Sequence, residues 1–215
     1  MSRITIICAL ASFGATLLWY FLFSRYNQRR ALQVVDRVRL AWRGRILSRR
    51  WSGTSRLRVG MQLPSALFGS AHITVRLFPR AMPLHWLKRR WDAQVETVTI
   101  ETDLERAPTF SLKVHNHRWS GHLARRALSK NRPWVIHRSG PMVLTTSEDW
   151  DAEQNPVLTA LLVARQSEFT DVALKPQSPH LTATLPVNAL TDYASALQVF
   201  EKLRELAQET RASKK

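Results

Sequence analysis

An uncharged stretch of twenty residues, Ile4 to Phe23, lies at the beginning of the chain. As an α-helix it is about 30 Å long, which matches the hydrocarbon core of a bilayer. A cleaved signal peptide is disfavoured, because only five residues separate Arg3 from the Ala-Leu-Ala sequence that resembles a cleavage site, and a signal peptide needs a longer apolar run before its cleavage site. Helices in the core of soluble domains are rarely uncharged over this length. The stretch therefore predicts a transmembrane anchor over residues 1–24.

The positive charge of the chain is concentrated directly after this stretch. The formal net charge is +16, and residues 24–90 hold sixteen Lys and Arg residues against one acid, whereas residues 91–215 are neutral. One arginine precedes the candidate span and seven follow it within about twenty residues, so the positive-inside rule predicts a cytoplasmic C-terminal body, with the bacterial inner membrane as the expected location. Aromatic residues typical of the membrane interface are Trp19, Tyr20 and Tyr26.

Residues 25–53 are predicted to form a basic juxtamembrane helix. Apolar residues recur every three or four positions from Ala31 through Trp42 to Ile46, and they form one stripe. Two compatible roles are open: the stripe packs on the following domain, and the arginines on the other faces contact anionic lipid headgroups. The residues predicted to contact anionic lipid or another polyanion are Arg29, Arg30, Arg37, Arg39, Arg43, Arg45, Arg49, Arg50, Lys88, Arg89 and Arg90.

The consecutive bases between Trp86 and Trp91 also suit a nucleic acid. Lys and Arg side chains bind phosphates, and tryptophan rings stack on bases. No helix-turn-helix, RNP-like or GXXG pattern accompanies these residues. Binding of nucleic acid is therefore the alternative, and lipid contact is the leading interpretation.

Residues 54–207 are predicted to form an antiparallel α+β domain with helices packed on a sheet, followed by a polar tail over 208–215. Short alternating segments separated by Pro and Gly indicate strands that pair through turns, with helices late in the sequence. Strands are expected at 56–63, 71–78, 95–102 and 110–115, hairpins at 134–146 and 169–185, and helices at 119–130, near 155–164 and at 190–207, with 84–91 a short helix or a loop.

We expect no catalytic residue, cofactor or metal ion. His115 and His117 are the best pair of metal ligands, but residues 106–138 contain no carboxylate to complete a site. Cys8 lies within the candidate span, where a thiolate is disfavoured. Phosphate-binding loops and dinucleotide fingerprints are absent from the sequence. An enzyme is therefore the least favoured class.

A hairpin over residues 134–146 precedes the sequences NPVLTALL, LTATLPV and YASALQVFEKLREL. In this order of elements the chain resembles uncharacterised bacterial single-pass membrane proteins with a small α+β cytoplasmic domain. The resemblance implies a fold and a location, and no activity. Together with the charge pattern it predicts a membrane-anchored, non-enzymatic binding or scaffolding protein, whose arginine-rich arm contacts anionic lipid and whose domain binds an unidentified protein partner.

Overall fold

The structure, a computed structural model, describes residues 3–116, 135–139, 142–146 and 169–212. Its strands form one sheet in the order β1-β2-β3-β4-β9-β8-β5-β7-β6, and every neighbouring pair is antiparallel. The α+β class is therefore confirmed. The elements are α1 Arg3–Trp42, β1 Arg45–Ser52, β2 Arg56–Gln62, β3 Phe68–Arg76, α2 Pro83–Trp91, β4 Thr97–Leu104, β5 Leu112–Asn116, β6 Val135–Ser139, β7 Met142–Thr146, β8 Asp171–Leu174, β9 Leu181–Pro186, a 3-10 turn Val187–Leu190 and α3 Tyr193–Ala212.

Helix α1 is a single helix of 40 residues with two different environments. It contains no proline and only one glycine, so nothing in its sequence interrupts the backbone hydrogen bonds. Its N-terminal half is apolar and exposed, with a mean hydropathy of 2.0 over the most apolar 18 residues, and is long enough to cross a membrane. In the C-terminal half, Ala31, Val35, Val38 and Trp42 are buried. The predicted packing of the apolar stripe is confirmed for these residues.

The helix ends at Trp42 because the chain turns at the next two residues. Arg43 adopts a positive φ of 50°, and the N–H of Gly44 donates to the carbonyl oxygen of Arg39 at 3.1 Å. A Cβ atom at Gly44 would collide with the buried Met61 side chain, so a larger residue there would force that side chain to move. The predicted helix over 25–53 is therefore wrong beyond this turn: residues 45–52 are strand β1, the first strand of the sheet.

Strand β1 is not predicted from the sequence because its alternation of buried and exposed residues is interrupted. Its register on β2 shifts between Ile46 and Ser48, so the two half-buried side chains, Ile46 and Trp51, are not separated by an even number of residues. Exposed arginines occupy much of the remaining strand. Charged side chains are typical of edge strands, because they oppose pairing with another chain.

The core lies between one face of the sheet and the helices α1 and α3. Leu57, Ile73 and Val75 point to this face and are fully buried. Trp42 joins the two helices, because its Nε1 donates to the carbonyl oxygen of Ala196 at 3.1 Å and its ring lies 5.2 Å from that of Phe200. Since α1 contributes to the same core as the strands, the candidate span is continuous with the folded body.

The expected strands and hairpins of the body are confirmed by the pairing of β2 with β3, β6 with β7, and β8 with β9. The ambiguous segment at 84–91 is a helix, and the final helix extends to Ala212, so that it includes the first five residues of the expected tail. The helices expected at 119–130 and near 155–164 lie outside the described residues.

Candidate membrane-proximal surface

One end of the sheet lies close to the candidate span. Asn27 on α1 donates to the carbonyl oxygen of Phe78, just after β3, at 2.9 Å, whereas Trp42 packs on α3 at the other end of the helix. Trp42 is 23 residues beyond Trp19, about 34 Å along a helix axis. We call the end formed by the start of β2, the end of β3 and the start of β4 the span-proximal end.

Buried Glu96 fastens the loop after β3 to α1. Its Oε1 accepts hydrogen bonds from the backbone N–H of Phe78 at 3.0 Å and from Arg80 Nη1 at 2.6 Å, and its Oε2 lies 3.0 Å from Arg30 Nη2. Arg80 also donates to Asn27 Oδ1 at 3.2 Å. Glu96 and Asn27 are both buried, so these contacts form a satisfied polar cluster.

The same loop reaches the candidate span itself. Trp19 Nε1 donates to the backbone carbonyl oxygen of Arg80 at 2.9 Å, and the Arg80 guanidinium lies 5.3 Å from the centre of the Tyr26 ring. Tyr20 is exposed, and its ring lies 5.9 Å from that of Phe21. Two of the three predicted interface aromatics, Trp19 and Tyr26, thus contact the body.

Helix α2 begins at Pro83, shortly after Arg80, and none of its side chains is buried. Leu84, Leu87 and Trp91 lie within an arc of about 60° on the helical wheel, at 100° per residue. They are 81%, 52% and 87% exposed. Lys88 and Arg90 flank this arc on its two sides, so α2 presents an apolar stripe with a base on each side.

The arginines predicted on α1 occupy different environments. Arg29 and Arg39 are exposed, whereas Arg30 and Arg37 are half-buried. Arg30 contacts Glu96 and donates to the Tyr26 hydroxyl, and Arg37 donates to a carbonyl oxygen of the 3-10 turn at 3.2 Å. These two side chains therefore stabilise the fold.

The predicted arginines after α1 are exposed and lie on the turn and the edge strand. Arg43 is in the turn, and Arg45 begins β1 at the end of the sheet away from the span. Arg49 lies 4.0 Å from Asp36 Oδ1. Arg50 is paired across the strands with Arg58. The structure thus does not gather the predicted basic residues into one patch.

A cleft of about 410 Å³ lies between α2 and the span-proximal end of the sheet. Three arginines line it, Arg56 from β2, Arg76 from β3 and Arg89 from α2. On the helical wheel Arg89 is on the side of α2 away from the apolar stripe. We call this feature the arginine cleft.

The sequence pattern predicts Arg89 as a site residue, but it does not predict Arg76 or Glu96. Arg56 and Arg76 are twenty positions apart, and only the register of β2 on β3 brings them opposite each other. The spacing of Leu84, Leu87 and Trp91 was visible as a helical pattern. The sequence could not show that this stripe would be left uncovered by the rest of the fold.

Comparison with models of protein families finds no match, and comparison with curated proteins finds none. The resemblance to bacterial single-pass membrane proteins therefore stays a prediction.

Proposed function

We propose that the protein is a single-pass membrane protein whose cytoplasmic domain is a non-enzymatic binding or scaffolding module held against an anionic leaflet. One observation carries the proposal: the contact between Trp19 and Arg80 brings α2, with its exposed apolar stripe, to the level at which the candidate span ends. The positive-inside distribution of arginines supports the cytoplasmic side.

The chemistry of α2 suits the boundary between headgroups and acyl chains. Full burial of an aliphatic side chain such as Leu contributes about 1.5–3 kcal/mol, and tryptophan is enriched at this boundary. Lys88 and Arg90, on either side of the stripe, would face anionic headgroups, at about 1 kcal/mol for each base near the surface. A short helix with this pattern lies in the plane of the interface.

Distance along α1 limits which arginines take part. Arg29 is six residues beyond Phe23, about 9 Å, whereas Arg39 and Arg43 are about 24 and 30 Å beyond it. The headgroup layer extends only about 5–8 Å from the hydrocarbon core. We therefore assign lipid contact to α2 and to Arg29, whose long side chain can extend back to the headgroups from just beyond this layer. We propose that the arginines near the end of α1 face the cytoplasm, where they are available to a protein partner.

The sidedness can be measured by cysteine accessibility. Cys8 is the only cysteine, so a Cys8→Ser background allows a single new thiol at the exposed Gln198 on α3. We expect a membrane-impermeant maleimide to label this thiol only after the inner membrane is permeabilised. Labelling in intact spheroplasts would place the body outside the cytoplasm and overturn the sidedness.

Lipid contact can be measured with an environment-sensitive fluorophore on the full chain in nanodiscs. In the same background, a label at Leu84→Cys lies on the stripe, and a label at His85→Cys lies on the other side of α2. We expect a blue shift at position 84 that is larger than at 85 and larger with phosphatidylglycerol than with phosphatidylcholine alone. Equal emission at the two positions would contradict the proposal, and a steeply salt-dependent response to single-stranded DNA without any lipid response would favour the nucleic-acid alternative.

A further inference from the structure

We propose that the arginine cleft binds a phosphate group, supplied either by a phospholipid headgroup or by a free phosphate compound. The inference rests on the proposed function only for the membrane source of that phosphate. Its basis is the cross-strand placement of the cleft residues, their unbalanced charge and the position of α2.

The floor of the cleft is one row of residues across four strands. Ser52 is paired with Arg56, Arg56 with Arg76, and Arg76 with Thr97. Side chains alternate along a strand, and Leu57 and Val75, the neighbours of the two arginines, point into the core. The row therefore faces away from α1 and α3, and it sets two guanidinium groups between two hydroxyls.

Like charges directly opposite each other destabilise a sheet, so this arrangement is unfavourable without an anion. The next arginine along β2, Arg58, shows the usual solution, because its Nη2 lies 3.2 Å from Glu101 Oε2. Within the described part of the chain, neither Arg56 nor Arg76 has such an ion pair. The described residues that line the cleft include no acid.

Arg89 adds a third guanidinium from the opposite wall. It belongs to α2, whose other side carries the apolar stripe, and the cleft therefore lies directly behind the helix that we assign to the interface. Three guanidiniums offer many N–H donors in planar groups. A phosphate, with more acceptor oxygens than a carboxylate, suits them better as a ligand. Hydroxyls of Ser55 and Thr97 line the same space and can donate further hydrogen bonds.

The volume of about 410 Å³ is sufficient for a phosphorylated headgroup or a small phosphate compound. A soluble probe tests the chemistry without the membrane. We expect inorganic pyrophosphate to raise the thermal unfolding midpoint of the full chain in a neutral detergent, compared with sodium chloride at equal ionic strength, because a ligand that binds only the folded state stabilises it.

Each cleft arginine should matter, and a remote arginine should not. We expect Arg56→Gln and Arg76→Gln each to weaken pyrophosphate binding about tenfold, since a hydrogen bond between charged groups is lost. Arg106→Gln removes the same charge from an exposed residue after β4, at the other end of the sheet, and should leave binding unchanged. Equal stabilisation of all three variants and the unsubstituted chain, or no stabilisation of any, would overturn the proposal.

Nanodiscs distinguish the two sources of phosphate. If phosphatidic acid in the disc occupies the cleft, pyrophosphate should no longer stabilise the chain, whereas a disc of phosphatidylcholine should preserve the effect. Stabilisation that persists in both discs, and is lost in Arg76→Gln, would identify a free phosphate compound as the ligand. The fluorophore at position 84 reports membrane contact separately, so failure of the proposed function and failure of the cleft give different results.

Discussion

Five arginines at the span-proximal end form two groups with different surroundings. The paired group, Arg30 and Arg80, shares one buried carboxylate, Glu96, and holds the loop after β3 on α1. The unpaired group is Arg56, Arg76 and Arg89, which line the arginine cleft without an acid among its described residues. Arginines at the same end of the sheet therefore have two roles. An arginine whose charge is balanced by an internal carboxylate stabilises the fold, and an arginine without such a carboxylate is left to bind a ligand.

Removal of the shared carboxylate should have the largest effect on stability. We expect Glu96→Ala to lower the free energy of unfolding by about 3–5 kcal/mol, because two guanidiniums and the Phe78 N–H lose their acceptor in a buried site. Chemical denaturation of the full chain in a mild detergent measures the loss. Glu101→Ala removes the same charge from the exposed pair with Arg58 and should cost less than about 1 kcal/mol. Equal losses in the two variants would show that burial does not set the strength of the Glu96 cluster.

Substitution of one arginine from each group should change stability in opposite directions. Arg80→Gln leaves hydrogen bonds to Glu96 and Asn27 unmade and should cost about 1–3 kcal/mol. Arg76→Gln removes repulsion from Arg56 and should increase stability by about 0.2–1 kcal/mol in the absence of phosphate. The gain should shrink as salt is added, because salt screens the repulsion between exposed charges. A loss of stability in Arg76→Gln under these conditions would contradict the division into two groups.

Local patterns predicted much of this fold, and the contacts between distant segments could not be predicted. The hairpin of β8 and β9 followed from alternation and turn residues, and the stripe from Ala31 to Trp42 followed from helical spacing. The strand β1 was missed because a bulge breaks its alternation and because arginine is tolerated in both helices and edge strands. Glu96 attracted no attention, since its partners lie 16 and 66 positions away in the sequence. The charge count indicated an unusually basic segment. Only the sheet register distinguished the arginines that stabilise the fold from those that line the arginine cleft.

Arg37 is intermediate between the paired and unpaired groups, and its coupling to Asp192 is expected to have the smallest effect on stability. Its guanidinium is half-buried, donates to the carbonyl oxygen of Leu190 and lies near Asp192 at the start of α3. The pKa of Asp192 is lowered below the ordinary value of 3.8, first because the Ser195 N–H donates to its carboxylate at 2.7 Å and next because of a hydrogen bond from the Ser195 side chain. The charge of Arg37 lowers this pKa to a lesser extent. The ionised carboxylate therefore stabilises the folded state at pH values above 3.8, and this contribution is lost as the pH falls through the lowered pKa.

Asp192→Asn tests this weak coupling, because asparagine also caps helices and the substitution removes mainly the charge. We expect a lower unfolding midpoint than that of the unsubstituted chain at neutral pH, by less than in any substitution of the paired group. The difference should disappear in acid, once Asp192 is protonated in both folded and unfolded chains. In an Arg37→Gln background the effect of Asp192→Asn should be smaller, since part of the attraction is already absent. An unchanged effect in that background would show that local hydrogen bonds stabilise the carboxylate without a contribution from Arg37. Arg37, like the paired group, would then serve only the packing of α1 against the body.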